Sequence, residues 1–261
     1  MKNILFISAF FCSLLSYSQC GSYGSFNYLI TTDLGVDLSG AEIVDADGDG
    51  VLDIFVMSVN ISGNTNNFSI SEITGVNSFT YTSFIPMNGS DTFSDFSISD
   101  VDNDGDIDVF ILFDVFQGTD YIELYLNDGS NQFSTSGQVF SYVSSNENIA
   151  LDDVDGDGYV DAVFSNSVYL NDGTGQFNNS TNYIGNNVSL ADFDGDGDLD
   201  AINNDTIYFN NGSGFFVANP LGFSGISFPI IWANPMSYPK IVDFDADGDI
   251  DVFRKDSIFI N

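Results

Sequence analysis

DVDGDGYVDAVF at Asp153–Phe164, followed by YLNDGTGQF at Tyr169–Phe177, is the stretch that decides the fold. Its first nine residues read Asp-x-Asp-x-Asp-Gly-x-x-Asp, a loop of alternating carboxylates with a glycine at the bend. The residues that close the loop and follow it are largely β-branched or aromatic, which suits a strand. Asn-Asp-Gly between apolar residues is a hairpin signal, because these residues tolerate the positive φ of a turn. The unit therefore reads as loop, strand, strand, tight turn and strand, all antiparallel.

The same unit recurs along the chain. The nine-residue loop occurs five times, starting at Asp45, Asp100, Asp153, Asp192 and Asp243, at spacings of 55, 53, 39 and 51 residues. The turn unit recurs as YLNDGSNQF from Tyr125 and YFNNGSGFF from Tyr208. Apolar runs follow the loops, such as LDIFVMSV from Leu52, IDVFILF from Ile107 and IDVF from Ile250. No segment carries a helical period, so the fold class is all-β. Multi-strand repeats of about 40–50 residues are the size of propeller blades, and the expectation is a β-propeller of about five blades. SIFIN at Ser257–Asn261 matches the strand before each turn, and GSYGSFNY at Gly21–Tyr28 resembles the segment after one. Closure would then pair Ile258–Ile260 with a strand near Phe26–Ile30; a fragment of a larger propeller is the alternative.

Composition removes whole classes of chemistry. The chain has 261 residues with 38 acidic, 4 basic and no histidine, a formal charge of −34. Without histidine there is no imidazole base, no Ser-His-Asp triad and no His-ligated zinc. With Lys2, Lys240, Arg254 and Lys255 as its only cations, the chain offers no patch for a nucleic-acid backbone. At 43% hydrophobic and 15% aromatic residues it can still bury a core. Asp outnumbers Glu by 34 to 4, and 23 of the Asp residues lie in the five loops, which points to turns and metal loops rather than helical surfaces.

Residues 1–18 read as a secretory leader: Lys2, an apolar run from Ile4 to Leu15, then Ser16 and Ser18 before a cut at Gln19. Residues 19–261 form the repeat domain, secreted or at the cell surface, with no integral membrane segment. Cys12 leaves with the leader, so Cys20 alone remains and no internal disulfide can form.

The loops have the oxygen-only, closely spaced character that calcium requires. Positions 1, 3, 5 and 9 offer carboxylates, position 6 is the bending glycine, and position 7 turns its carbonyl inward. The ligand sets are Asp45, Asp47, Asp49, Val51 and Asp53; Asp100, Asp102, Asp104, Asp106 and Asp108; and Asp153, Asp155, Asp157, Tyr159 and Asp161. The last two are Asp192, Asp194, Asp196, Asp198 and Asp200, then Asp243, Asp245, Asp247, Asp249 and Asp251. About five calcium ions are expected. An EF-hand is excluded because its position-12 Glu is replaced by Val56, Ile111, Phe164, Asn203 and Arg254. Zinc and copper would prefer nitrogen or sulfur ligands.

DFDGDGDLDA from Asp192, DVDGDGYVDAVF and YLNDGTGQF resemble the FG-GAP/VCBS repeat family, including the calcium-binding blades of integrin α-subunit propellers. The resemblance runs from about Ala41 to Asn261. It implies calcium held by loop positions 1, 3, 5, 7 and 9, and a role in adhesion or recognition of an extracellular protein or glycan. Integrin-type propellers have seven blades, against five loops here. Because five alike sites argue for architecture, the ions are expected to brace the blades. A lectin-like reading would use Trp232 and Tyr238, in the proline-rich connection Phe215–Pro239, as stacking platforms. A polysaccharide lyase or glycosidase is the remaining alternative, with Asp91, Asp95, Glu72 or Glu123 as the acids, or Lys240, Arg254, Lys255 or a tyrosine as the base. Tyr125, Tyr169 and Tyr208 read as packing residues between neighbouring blades.

Overall fold

The computed structural model describes residues 37–59, 66–75, 78–85, 92–115, 117–141, 148–180, 182–203, 206–219, 240–242, 251–254 and 257–259. Among these every regular element is a strand, and the strands form five antiparallel sheets. The first holds β1 (Asp37–Val44), β2 (Asp53–Val59), β3 (Asn66–Gly75) and β4 (Ser78–Ile85). The second holds β5 (Thr92–Ser99), β6 (Asp108–Asp114), β7 (Tyr121–Asn127) and β8 (Phe133–Ser141). The third holds β9 (Ala150–Asp152), β10 (Asp161–Phe164), β11 (Ser167–Asn171) and β12 (Phe177–Asn179). The fourth holds β13 (Ser189–Ala191), β14 (Asp200–Ile202), β15 (Ile207–Asn210) and β16 (Phe216–Ala218). Three strands make up the fifth: β17 (Lys240–Val242), β18 (Asp251–Arg254) and β19 (Ser257–Phe259). Each sheet is a simple meander with strands in chain order.

The repeat differs from the sequence reading in one respect. A strand precedes each acidic loop, so the loop joins the first and second strands of its sheet. These leading strands are short in the third and fourth sheets, three residues each, too short to carry a visible alternation. The Asn-Asp-Gly units join the third and fourth strands as expected, over five residues rather than two: Asp128–Gln132 between β7 and β8. Asp128 makes this turn, its Oδ1 accepting from the Ser130 amide at 3.0 Å and hydroxyl at 2.6 Å. Positive φ falls on Gly129 and Asn131, while Asn127 stays in the strand.

Burial follows position in the sheet. The strand after the second, third and fourth loops is closed in on both faces: Asp108–Phe113, Asp161–Phe164 and Asp200–Ile202 are buried throughout, which explains their unbroken apolar runs. The fourth strand is the wet one, β12 and β16 burying only Phe177 and Phe216. Loop position 2 is also apolar and buried, as Ala46, Val101, Val154 and Phe193. These residues anchor the loops in the core. Val154 packs with Val163, Val168, Ile184, Val188, Ala201 and Phe216, and Phe193 with Ala191, Ile202 and Ile207, flanked by Phe209 and Ile241. Tyr169 stacks on Phe164 at 4.5 Å and meets Phe140 of β8 edge-on at 5.1 Å, and Tyr208 packs on the Val154 cluster. Both tyrosines thus serve packing.

One compact unit contains β1–β4 with 92–96, 105–115, 117–119 and 123–137; the other contains 97–104, 120–122 and the described residues from 138 onward. Within each unit the same asparagine ties one repeat to the next. Asn171 Nδ2 donates to Val160 O of its own loop at 2.9 Å and to Val101 O of the preceding loop at 2.7 Å. Asn210 does the same with Leu199 O and Val154 O, and Asn127 with Ile107 O and Ala46 O. The expected pairing of Ile258–Ile260 with Phe26–Ile30 lies outside the described residues, as do residues 1–36, Trp232 and Tyr238.

Asn171→Ala removes both donors and strands two carbonyls, one of them in a buried hydrogen bond. At about 1–3 kcal/mol for each unsatisfied buried group, we expect a loss of about 2–4 kcal/mol. Urea unfolding of this variant beside Asp172→Ala, which alters an exposed turn residue, checks it. Equal and small losses for the two would refute the tie between repeats.

Candidate metal centre

The first, third and fourth acidic loops are folded by their own carboxylates. In the third loop Asp153 accepts from the amides of Gly156 at 2.8 Å and Gly158 at 2.9 Å. Asp155 accepts from Asp157 N at 3.2 Å, and Asp157 from Tyr159 N at 2.9 Å. The fourth loop repeats this set with Asp192, Asp194 and Asp196. Side-chain oxygens two or more residues back satisfy amides that no strand partner reaches, as Asx turns do. Position 6 is glycine because its φ lies between 88° and 99° in the four described loops. Position 4 needs positive φ as well, and it is Gly48, Asn103, Gly156 and Gly195, residues suited to that region. The sequence reading missed this second requirement because the position varies in identity.

Position 9 carries a separate duty. Asp161 and Asp200 are fully buried, and Asp53 nearly so. Asp161 Oδ2 accepts from Val154 N at 3.0 Å and its Oδ1 from Asn171 N at 2.8 Å. Asp200 takes the same pair of donors, Phe193 N and Asn210 N. The residue closes the loop onto position 2 and fastens it to the third strand.

The folded loops bring three carboxylates together. One oxygen from each of positions 1, 3 and 9 lies within 4.8 Å of the others in Asp45, Asp47 and Asp53; in Asp100, Asp102 and Asp108; in Asp153, Asp155 and Asp161; and in Asp192, Asp194 and Asp200. The position-5 residues Asp49, Asp104, Asp157 and Asp196 are exposed and stand outside these groups. The fifth loop, Asp243–Asp251, lies outside the residues whose side chains are described. Elsewhere, Glu123 is engaged by the Tyr125 hydroxyl at 2.9 Å and the Thr135 hydroxyl at 2.6 Å.

The electrostatics of these groups call for a cation. Two carboxylates about 5 Å apart repel by about 3 kcal/mol at an effective dielectric near 20. Burial pushes the Asp161 carboxyl up to about 6, despite its two backbone donors, with Asp155 and Asp157 adding to the rise. Burial likewise raises Asp53, Asp155 and Asp200, with neighbouring loop carboxylates adding to each shift. Asp45 Oδ1 and Asp102 Oδ1 are buried with no hydrogen-bond partner. Hard, oxygen-only donors, three anionic, with unsatisfied buried oxygen among them, fit a divalent ion such as calcium. Positions 1, 3 and 9 would hold it, and its charge would relieve the repulsion.

Strand-flanked acidic loops repeated on successive small sheets define an all-β repeat protein whose loops could hold a metal ion. Residues 100–164 and 153–203 each match the family model described as the FG-GAP-like repeat. No curated protein sequence matches the chain.

Asp155→Asn keeps the acceptor for Asp157 N while removing one repelling charge. In chelator we expect it to stabilise the protein by about 1 kcal/mol, a fraction of the pairwise repulsion, and in calcium to lose one site's stabilisation. Paired melting curves in chelator and in calcium check this, and a lower chelator midpoint than wild type would count against it. The pH trend has a definite sign. An Asp161 carboxyl held above its ordinary value favours folding at acid pH, and that contribution is lost as pH rises through about 6. In chelator the protein should therefore melt higher near pH 5 than near pH 7.5, whereas calcium, which competes with those protons, should bind more weakly at pH 5. Calorimetric titration at both pH values measures it.

Proposed function

We propose that this chain is an extracellular calcium-binding β-propeller, its loop-bearing sheets serving as blades, and that it acts as an adhesion or recognition module for a protein or glycan partner. The observation that carries the reading is the recurrence of one three-carboxylate group in four successive loops. A single active centre would need one special site; four alike ones suit a bracing role repeated blade by blade. The asparagine ties between consecutive repeats support stacking of like units, as propeller blades stack. Closure into a five-bladed ring, with β19 completing the blade begun near Phe26–Ile30, is part of the proposal. So is delivery to the outside by the leader at 1–18, which would bring the chain to where calcium is abundant. Among the described residues no helix is long and apolar enough to cross a membrane.

A second reading, a carbohydrate-binding module, is favoured by two solvent-facing aromatic rings, Tyr183 at 67% and Phe215 at 52% exposure. Rings of this kind can stack on sugar faces. Both readings assign the chain binding rather than catalysis.

Calcium that binds only the folded state stabilises it by about 2.7 kcal/mol per site at a hundredfold excess over its dissociation constant. Extracellular modules bind at roughly 10⁻⁴–10⁻³ M, so the response should grow over the millimolar range. We expect calcium to raise the melting temperature by many degrees, magnesium to do so far less, and chelator to reverse the effect. A midpoint that neither calcium nor chelator moves would remove the calcium reading. Pull-down from the native extracellular surroundings, with calcium and then chelator, tests the partner. A glycan array run both ways separates the two binding readings.

A further inference from the structure

The first acidic loop has a feature absent from the other described loops. Asn131, from the turn between β7 and β8, reaches into it: Nδ2 donates to Asp47 Oδ2 at 3.1 Å and to Asp53 Oδ1 at 3.3 Å. The side chain is only 4% exposed, and its Oδ1 is buried with no hydrogen-bond partner. Asp45 Oδ1, in the same loop, is also buried and unpartnered. The matching positions in the next two turns are Gly175 and Gly214, and all three have positive φ, 55°, 70° and 66°. Glycine therefore satisfies the backbone here, and the Asn131 side chain exceeds what the turn requires.

Space for this side chain at Asp53 comes from the first sheet. In the third and fourth sheets Oδ1 of the position-9 aspartate accepts from the turn asparagine amide of the same sheet. In the first sheet Asp53 lies opposite Glu72 of β3, and its Oδ1 accepts from Asn131 instead.

An amide presents its oxygen and nitrogen at interchangeable positions, related by a half turn about its last torsion. With the nitrogen inward, Asn131 donates to two carboxylates and strands its own oxygen, a costly arrangement. A cation among Asp45, Asp47 and Asp53 would repel the inward N–H groups and attract the oxygen, and amide carbonyls are ordinary calcium ligands. We propose that Asn131, from the following repeat, supplies its side-chain oxygen to the cation held by Asp45, Asp47 and Asp53, so that the first site is a calcium centre shared between two repeats. This rests on the calcium reading above. It distinguishes the first site from the others in affinity, and it makes calcium a direct link between successive sheets there.

The test is calcium titration of the chelator-stripped full chain by calorimetry, comparing wild type with Asn131→Gly, Asn131→Asp, Asp47→Ala and Asp194→Ala. Asn131→Gly removes the ligand while keeping the backbone conformation that Gly175 and Gly214 show to be acceptable, and unfolding curves in chelator confirm that it folds. We expect it to weaken one site by about tenfold or more, at least what losing an outer partner of a metal costs. Asn131→Asp, which retains an oxygen and adds charge, should keep or tighten that site. Asn131→Gly should add nothing to Asp47→Ala, which has already lost the first site, and its full effect to Asp194→Ala. Unchanged affinities in Asn131→Gly would overturn the proposal. So would a tighter site, which would mean that the amide merely stands in for the cation. Wild-type protein that binds no calcium at all would overturn the calcium reading itself, a result distinct from either.

Discussion

The buried position-9 aspartate is the interaction on which the rest of the repeat depends. A carboxylate with no access to water must be met by donors on both oxygens or it will not stay charged. Asp161 and Asp200 meet that demand with one amide from loop position 2 and one from the end of the third strand. The first bond closes the loop; the second sets the loop against the sheet. Because position 2 is also an apolar anchor in the core, the same few atoms couple loop geometry to core packing. The remaining carboxylates are then held close whether or not they repel.

That closeness makes the loops a store of unfavourable charge. Positions 1 and 3 gather around position 9 within 4.8 Å, and burial raises the carboxyls that sit deepest. With Cys12 and Cys20 its only cysteines, the repeat region has no disulfide to draw on, and a divalent ion would turn this repulsion into attraction. A bound cation and the excess of aspartate would then be two sides of one arrangement. Aspartate rather than glutamate is needed because its short side chain can also hydrogen-bond the backbone two residues on, which is how Asp155 and Asp157 act.

Neighbouring repeats are joined by asparagine in two different ways. Asn127, Asn171 and Asn210 bridge carbonyls of successive loops, a role that one side chain with two amide protons can fill. Asn131 reaches carboxylates instead. The turn sequence YLNDGSNQF contains both residues, and their different roles come from place alone: one ends a strand, the other sits at a positive φ four residues later.

Much of this was legible in the sequence. The five loops, the strands that follow them, the Asn-Asp-Gly turns and the all-β class can all be read from spacing, because turn chemistry and strand propensity are local. So can the loops' suitability for calcium, since carboxylate spacing is itself the signal. The three-residue strands before the third and fourth loops could not be read, being too short for a pattern; only pairing with β10 and β14 makes them strands. Tertiary structure alone decided that position 9 is buried and doubly hydrogen-bonded, that position 5 is exposed, and that Asn131 enters a loop 78 residues from Asp53 in sequence. Such contacts depend on how one sheet lies against the next, and no local rule of sequence encodes that distance.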